Sequence, residues 1–311
     1  MKKKIIIYLG SECNLNCTYC HREKERDKEI NPTFLEILRS FDGEIIFRGG
    51  EPTLYMEQIK RFVEASPMAT YRITTNGLLF DQYKDFFKEH DFGVHISYDG
   101  NTIRPFDPFT KTIHYHRIDA TSVLTKGDRL MPLLDEFDRK SLIIGHRITY
   151  YPHIGHYTYE GNKEYAMTME DYNALLVDIK NCMKLFVGER ERYCFTNMRY
   201  YGIHRYLKDC YESNYTFGET RCASFRTKRV DVTGQRFDCL YIRDNPLMDN
   251  WLDAQKKMIA SKFPKCVGCL VYDMCGAGCV KSLYHDEECW FYKNIFSWYK
   301  QFYRENEVYL Y

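Results

Sequence analysis

Three cysteines, Cys13, Cys17 and Cys20, lie on the string Ser-Glu-Cys-Asn-Leu-Asn-Cys-Thr-Tyr-Cys with C-x3-C-x2-C spacing. They follow directly on the apolar run Lys4-Ile5-Ile6-Ile7-Tyr8-Leu9. Three thiolates on one loop are one ligand short of a closed four-coordinate metal site. A cubane [4Fe–4S] cluster has four irons, each ordinarily held by a thiolate. Three cysteines therefore suit a cubane with one iron left open to a small molecule.

A second group follows much later in the chain. Cys222 and Cys239 flank Gly234, as C-x11-G-x4-C. Cys266, Cys269, Cys275 and Cys279 then follow as C-x2-C-x5-C-x3-C, and Cys289 closes the set. One four-cysteine zinc site uses only four of these seven thiols, whereas two clusters use them all. A disulfide scaffold suits a short secreted chain with a poor core, which does not describe these 311 residues. Cys182, Cys194 and Cys210 belong to neither group. A lone cysteine is ordinarily a small buried hydrophobe. The sharper reading of such a thiol, Cys210 among them, is a hydrogen-atom donor to a substrate radical.

Three further strings sit where strands end. Phe47-Arg48-Gly49-Gly50-Glu51-Pro52 offers two glycines for close backbone approach and a carboxylate that can accept from an ammonium group. Ile73-Thr74-Thr75-Asn76-Gly77 and Ile96-Ser97-Tyr98-Asp99-Gly100 offer short polar side chains. Each alone reads as a turn. Their order, behind the cysteine loop and after successive strands, gives them a common purpose.

The elements that must position these residues alternate. Strands are predicted at 4–9, 44–48, 70–75, 93–98, 113–124 and 142–150, and helices at 32–41, 56–66, 79–90, 128–139 and 168–187. Alternation implies parallel strands. Six strands suit a partial (β/α)6 TIM-like barrel, an α/β fold with its site at the C-terminal ends of the strands. Between Gly100 and Ile113 a helix hardly fits, with Pro105 and Pro108 in so short a link. The texture changes near 215, which predicts a barrel over 1–214 and a small cysteine-rich domain with a C-terminal helix over 215–311.

Composition narrows the partners. Lys plus Arg number 44 and Asp plus Glu 43, so no basic excess points to nucleic acid. No apolar run reaches the ~20 residues that span a bilayer. The start Met-Lys-Lys-Lys-Ile-Ile-Ile is too brief for a signal sequence and reads as a strand, so a cytoplasmic protein is expected.

The cysteine loop with Tyr19 before its last cysteine, followed by GGEP, TTNG and ISYDG, resembles the radical S-adenosylmethionine (SAM) superfamily over residues 4 to about 150. The resemblance implies that Cys13, Cys17 and Cys20 hold a [4Fe–4S] cluster and that SAM fills the open iron. It also implies that Tyr19, Gly49, Gly50, Glu51, Thr75, Asn76, Ser97 and Asp99 surround SAM, and that a 5′-deoxyadenosyl radical starts the reaction. The later cysteines resemble the SPASM extension, which implies two auxiliary [4Fe–4S] clusters. By family ligation Cys266, Cys269, Cys275 and Cys289 would hold the outer one, and Cys222, Cys239 and Cys279 the inner one. Some relatives carry an eighth cysteine where this chain has Thr216; Cys210 or an open position would stand in.

SPASM enzymes mostly modify peptides. The expected function is therefore maturation of a ribosomally made peptide by cross-linking, oxidation or epimerisation, with an electron donor such as flavodoxin or ferredoxin. With no leader-binding domain before the first strand, a separate leader-binding protein is a further expected partner. The sulfatase-maturing relatives carry an Asp directly after the second SPASM cysteine, where this chain has Leu240, which counts against formylglycine formation. A non-catalytic iron–sulfur scaffold or electron carrier is the alternative of another class; retention of Glu51, Asn76 and Ser97 argues against it.

Overall fold

The computed structural model describes residues 3–17, 19–20, 28–98, 107–112, 115, 117–145, 148–154, 160–193, 198–217, 219, 227–235, 251–277 and 285–310. Its strands are β1 (Lys3–Tyr8), β2 (Gly43–Arg48), β3 (Thr70–Thr75), β4 (Gly93–Ser97), β5 (Ile118–Leu124), β6 (Thr149–Ile154) and β7 (Thr227–Asp231). They form one open sheet in the order β6-β5-β4-β3-β2-β1-β7. Each ladder from β7 through β1 to β5 is parallel. The helices are α1 (Pro32–Leu38), α2 (Met56–Ala65), α3 (Phe80–Glu89), α4 (Leu130–Ile144), α5 (Met169–Tyr193), α6 (Met198–Tyr211), α7 (Trp251–Lys262), α8 (Tyr272–Cys275) and α9 (His285–Asn306). The predicted α/β partial barrel is present as an open sheet, with β7 as an added strand beside β1.

β1 and β2 read clearly from continuous apolar runs, whereas β3 and β5 alternate buried with half-buried positions along the strand. Ile7, Ile45, Phe47, Ile73, Val94, Ile96 and Ala120 are all fully buried. Phe47, Tyr71 and Phe92 form a near-parallel triangle of rings, with centroids 5.2–6.4 Å apart. A charged ladder ties the opposite ends of the strands. Glu44 accepts from Lys4 at 3.3 Å and from Arg72 at 3.1 Å, and Arg72 reaches on to Asp119.

Between β4 and β5 the described residues contain only a 3-10 turn at Pro108–Thr112, consistent with the two prolines. The strand predicted at 142–150 is displaced. Leu142-Ile143-Ile144 has strand-like composition but forms the last turn of α4, with Leu142 83% exposed and Ile144 buried. Gly145, at φ 79°, ends the helix, and β6 begins at Thr149.

The chain divides into two compact units. The first comprises 1–121, 142–146 and 224–248; the second comprises 122–141, 147–223 and 249–311. The first carries β1–β4, β7 and α1–α3. The second carries β6 and α5–α9. No helix among the described residues is long and apolar enough to cross a membrane.

Candidate active site

The loop after β1 starts where β2 ends. Leu9 N donates to Arg48 O at 2.9 Å, Gly50 N to Gly10 O at 2.9 Å and Glu51 N to Glu12 O at 2.7 Å. Gly49 and Gly50 allow this approach. A Cβ on Gly49 would lie 2.6 Å from Gly10 O, and one on Gly50 only 2.0 Å from Glu12 O. The two glycines thus press the GGE turn backbone-to-backbone against the start of the cysteine loop. Tyr55 Oη accepts from Glu12 N at 2.9 Å and holds the same loop.

Glu51 is 1% exposed and its carboxylate is occupied by the chain itself. Oε1 accepts from Thr53 N at 3.0 Å, Thr53 Oγ1 at 2.6 Å and Thr75 Oγ1 at 2.6 Å. Oε2 accepts from Asn76 N at 2.8 Å. Glu51 also caps the 3-10 turn Pro52–Tyr55, with proline at its first position. This carboxylate therefore clamps the end of β2 to the end of β3.

Asn76 completes the link to the cysteines. Its Nδ2 donates to Asn14 Oδ1 at 2.7 Å and lies 3.9 Å from Cys13 Sγ, while its Oδ1 accepts from Leu78 N at 2.9 Å. Leu15 N approaches Cys13 Sγ at 3.4 Å. Thr75 Oγ1 also accepts from Gly77 N at 3.0 Å. Cys13, Cys17, Cys20 and Tyr19 are half-buried, and Cys20 N donates to Cys17 O at 3.0 Å. Ser97 ends β4 and is half-buried. Asp99 lies outside the described residues.

The residues brought together here are the cysteine loop, Gly49, Gly50, Glu51, Thr75 and Asn76. Asn14, Thr53 and Tyr55 join them as braces that the sequence reading omits. Only Thr53 had a local cue, in Glu51-Pro52-Thr53, where a cap precedes a proline. The donor set fits a [4Fe–4S] cluster held by three thiols, with N–H groups aimed at Cys13 sulfur as such clusters use.

In the second unit, Cys266, Cys269, Cys275 and Cys289 line one cavity with Val271, Tyr272, Ala277, Glu288, Tyr292 and Lys293. Burial, then the neighbouring Cys289 and Cys269 thiols, pushes the Cys266 thiol up to about 11, against the pull of Lys293 and Lys265. Among the described residues no three His, Cys, Asp or Glu side chains converge on a single ion. A cysteine-only zinc site gathers its sulfurs ~2.3 Å from one ion, while a cubane spreads them over separate irons.

Cys222, Cys239 and Cys279 lie outside the described residues, as do Cys194 and Leu240. Cys210 is buried in α6 near Tyr299 of α9. Cys182 is fully buried against Met131 sulfur at 3.6 Å, with its thiol pushed up to about 12 by burial. Thr216 forms a local box with Glu219, which accepts from its N–H at 2.7 Å and its hydroxyl at 2.9 Å.

Residues 7–120 match the Radical SAM superfamily. An uncharacterized protein of Methanocaldococcus jannaschii, MJ0907, is 26% identical over 63% of this chain and 79% of its own. The cysteine-type anaerobic sulfatase-maturating enzyme of Clostridium novyi is 33% identical over 36% of this chain, which is 34% of its own length. Among solved structures, native anSMEcpe with bound AdoMet and Cp18Cys peptide superposes with TM-score 0.68 at 19% identity, covering 98% of both chains. Streptococcus suis SuiB bound to S-adenosylmethionine gives TM-score 0.56 at 16% identity, over 90% of this chain and 71% of its own. The match to the Radical SAM superfamily thus covers residues 7–120, the stretch that holds the cysteine loop, Glu51 and Asn76.

Proposed function

We propose that this enzyme matures a ribosomally made peptide, and that its C-terminal segment, 215–311, is a SPASM domain holding two auxiliary clusters. The observation that carries the proposal is the cavity lined by Cys266, Cys269, Cys275 and Cys289. A radical SAM enzyme that only cleaved its cofactor would need no such thiols. An oxidised product needs an acceptor for one electron, which a second redox centre supplies. The full-length likeness in fold to anSMEcpe, a protein solved with a peptide, supports the peptide class of substrate.

Cys13, Cys17 and Cys20 would hold the SAM cluster, with Tyr19, Gly49, Gly50, Glu51, Thr75, Asn76, Ser97 and Asp99 around the bound SAM. When bound, the cluster and SAM together supply the radical that takes a hydrogen atom from a substrate carbon. The chain's own part is positioning. Glu51 locks β2 to β3, Asn76 locks β3 to the cysteine loop, and the glycines set how closely the loop can approach. Cys222, Cys239 and Cys279 would hold the inner auxiliary cluster, and Cys210 would be its remaining ligand or a hydrogen-atom donor. The expected partners are a precursor peptide, a leader-binding protein and a flavodoxin or ferredoxin.

Formylglycine formation is the second reading, favoured by the clostridial relative and opposed by Leu240. Co-expression with candidate Cys- and Ser-containing peptides, followed by fragmentation mass spectrometry, decides between them. A cross-linked, dehydrogenated or epimerised peptide supports the proposal, and an aldehyde on Cys or Ser supports the second reading. Anaerobically loaded protein should hold roughly twelve irons per chain, for three four-iron cubanes. Four irons with one zinc would refute the auxiliary clusters.

A further inference from the structure

The two faces of the sheet carry different side chains, because successive residues of a strand point to opposite sides. Phe47 packs on Phe62 of α2 and lies against Tyr71 and Phe92, so its face is the one the helices cover. The other face holds Ile6, Tyr8 and Ile46, which pack together. Arg48, the last residue of β2, stands in register with Tyr8. One step past the pair of Phe47 with Ile73, the ladder brings Arg48 beside Thr74, and Thr74 pairs with His95. All of these residues lie in the first unit. Arg48 directly precedes Gly49, Gly50 and Glu51, and its carbonyl holds Leu9, where the cysteine loop departs.

Arg48 is half-buried, and its guanidinium makes no hydrogen bond or ion pair among the described residues. Its Nε is buried without an acceptor, and Thr74 Oγ1 is buried without a partner. The described carboxylates on this face are engaged elsewhere. Glu44 is held by Lys4 at 3.3 Å and by Arg72 at 3.1 Å, and Asp119 by Arg72. Asp231, in register with Tyr8 on its other side, is held by Lys28 at 2.8 Å.

A buried polar group without a partner costs stability, and a cation costs more than a hydroxyl. Here two such groups stand side by side on strands ~4.8 Å apart. Their chemistry selects the ligand. The Nε–H and a neighbouring Nη–H of a guanidinium match the two oxygens of a carboxylate, and the hydroxyl adds a third donor.

We propose that Arg48, with the Thr74 hydroxyl, anchors a carboxylate of the peptide substrate. The inference rests on the peptide reading above and narrows its substrate class to peptides that carry an acidic group. The contact is made by charge and hydrogen bonds, and no covalent bond forms or breaks.

The test presents the anaerobically loaded full chain, with SAM, to a positional library of short synthetic peptides. The library is made once as C-terminal amides and once as free acids, and bound peptides are read by mass spectrometry. The wild type should prefer an acidic group at one position by about tenfold or more over its amide, the scale of charge-assisted hydrogen bonds. Preference among the amides assigns the carboxylate to an Asp or Glu side chain, and preference confined to the free acids assigns it to the C-terminus. Arg48→Glu should reverse the choice to Lys or Arg. Arg48→Lys should keep its sign at a smaller ratio, and Thr74→Val should also shrink it. An arginine with a merely structural role would alter how much peptide is held, not which charge is chosen. A wild type that binds peptides without acidic preference overturns the inference, as does an Arg48→Glu chain that selects the same acidic peptides. SAM carries a carboxylate of its own. Equilibrium dialysis showing that Arg48→Gln loses SAM affinity while peptide selection stays the same also overturns it. A wild type that holds no peptide from either library and modifies none on co-expression refutes the peptide reading itself, whereas bound peptides of indifferent charge refute only the anchor.

Discussion

Glu51 carries four hydrogen bonds on two oxygens, so its removal leaves buried donors from Thr53, Thr75 and Asn76 without an acceptor. Glu51→Ala should cost at least about 4 kcal/mol of stability, since each orphaned donor costs ~1–3 kcal/mol. Thermal denaturation followed by circular dichroism reads that loss; an unchanged midpoint would remove Glu51 from its bracing role. Gly50→Ala acts by another route. Its Cβ would meet Glu12 O at 2.0 Å, and neither partner is a flexible side chain. The cysteine loop must move away, so iron on Cys13, Cys17 and Cys20 and formation of 5′-deoxyadenosine should fall together. His204 gives a pH signature. It is buried against Phe186 at 4.7 Å with Nδ1 unpartnered, and burial, aided by Lys208 and Arg190, lowers its pKa to about 4. The unfolded chain therefore takes up this proton first as pH falls. Stability should decline between about pH 6.5 and pH 4 by up to ~3 kcal/mol from this residue. Urea titrations across that window should show a shallower slope in His204→Phe.

At the scale of elements, close packing of β6 and α6 hinges on Gly202. A Cβ there would lie 1.9 Å from Tyr150 O, so the helix rests directly on the strand's backbone. Gly202→Ala should cost at least about 1–3 kcal/mol by overpacking, despite alanine's better helix propensity. Hydrogen exchange at 149–154 should rise in the variant; unchanged protection would show that the pair is not held by this contact. The same elements mark the limits of the sequence. β1 and β2 were legible from their apolar runs, and β3 and β5 from the alternation of buried and half-buried residues. Leu142-Ile143-Ile144 misled because β-branched composition does not distinguish a strand from the final turn of a helix. β7, Thr-Lys-Arg-Val-Asp, offers almost no apolar pattern, and only its register beside β1 identifies it. At the site, residue types could be read but their links could not. The contact between Asn14 and Asn76 spans 62 positions, and nothing local announces it.

For the whole molecule, the two sets of described cysteines fall in different compact units. Cys13, Cys17 and Cys20 lie in the unit with Glu51 and Asn76, and Cys266, Cys269, Cys275 and Cys289 in the other. The described braces around the first set, Tyr55 on Glu12, Thr75 and Asn76 on Glu51, and Asn76 on Asn14, belong to its own unit. The chemistry should therefore separate. Replacing Cys266 and Cys269 by Ala should remove the cluster of the second unit and the modified peptide, while 5′-deoxyadenosine still forms with dithionite and SAM. Replacing Cys13, Cys17 and Cys20 should abolish both outputs while leaving the iron of the second unit in place. Chromatography of the nucleoside and mass spectrometry of the peptide, on the same anaerobic samples, give the two outputs side by side. If the Cys266 and Cys269 replacement still delivers finished peptide at the normal rate, the second unit is not the electron acceptor, and its thiols need another role.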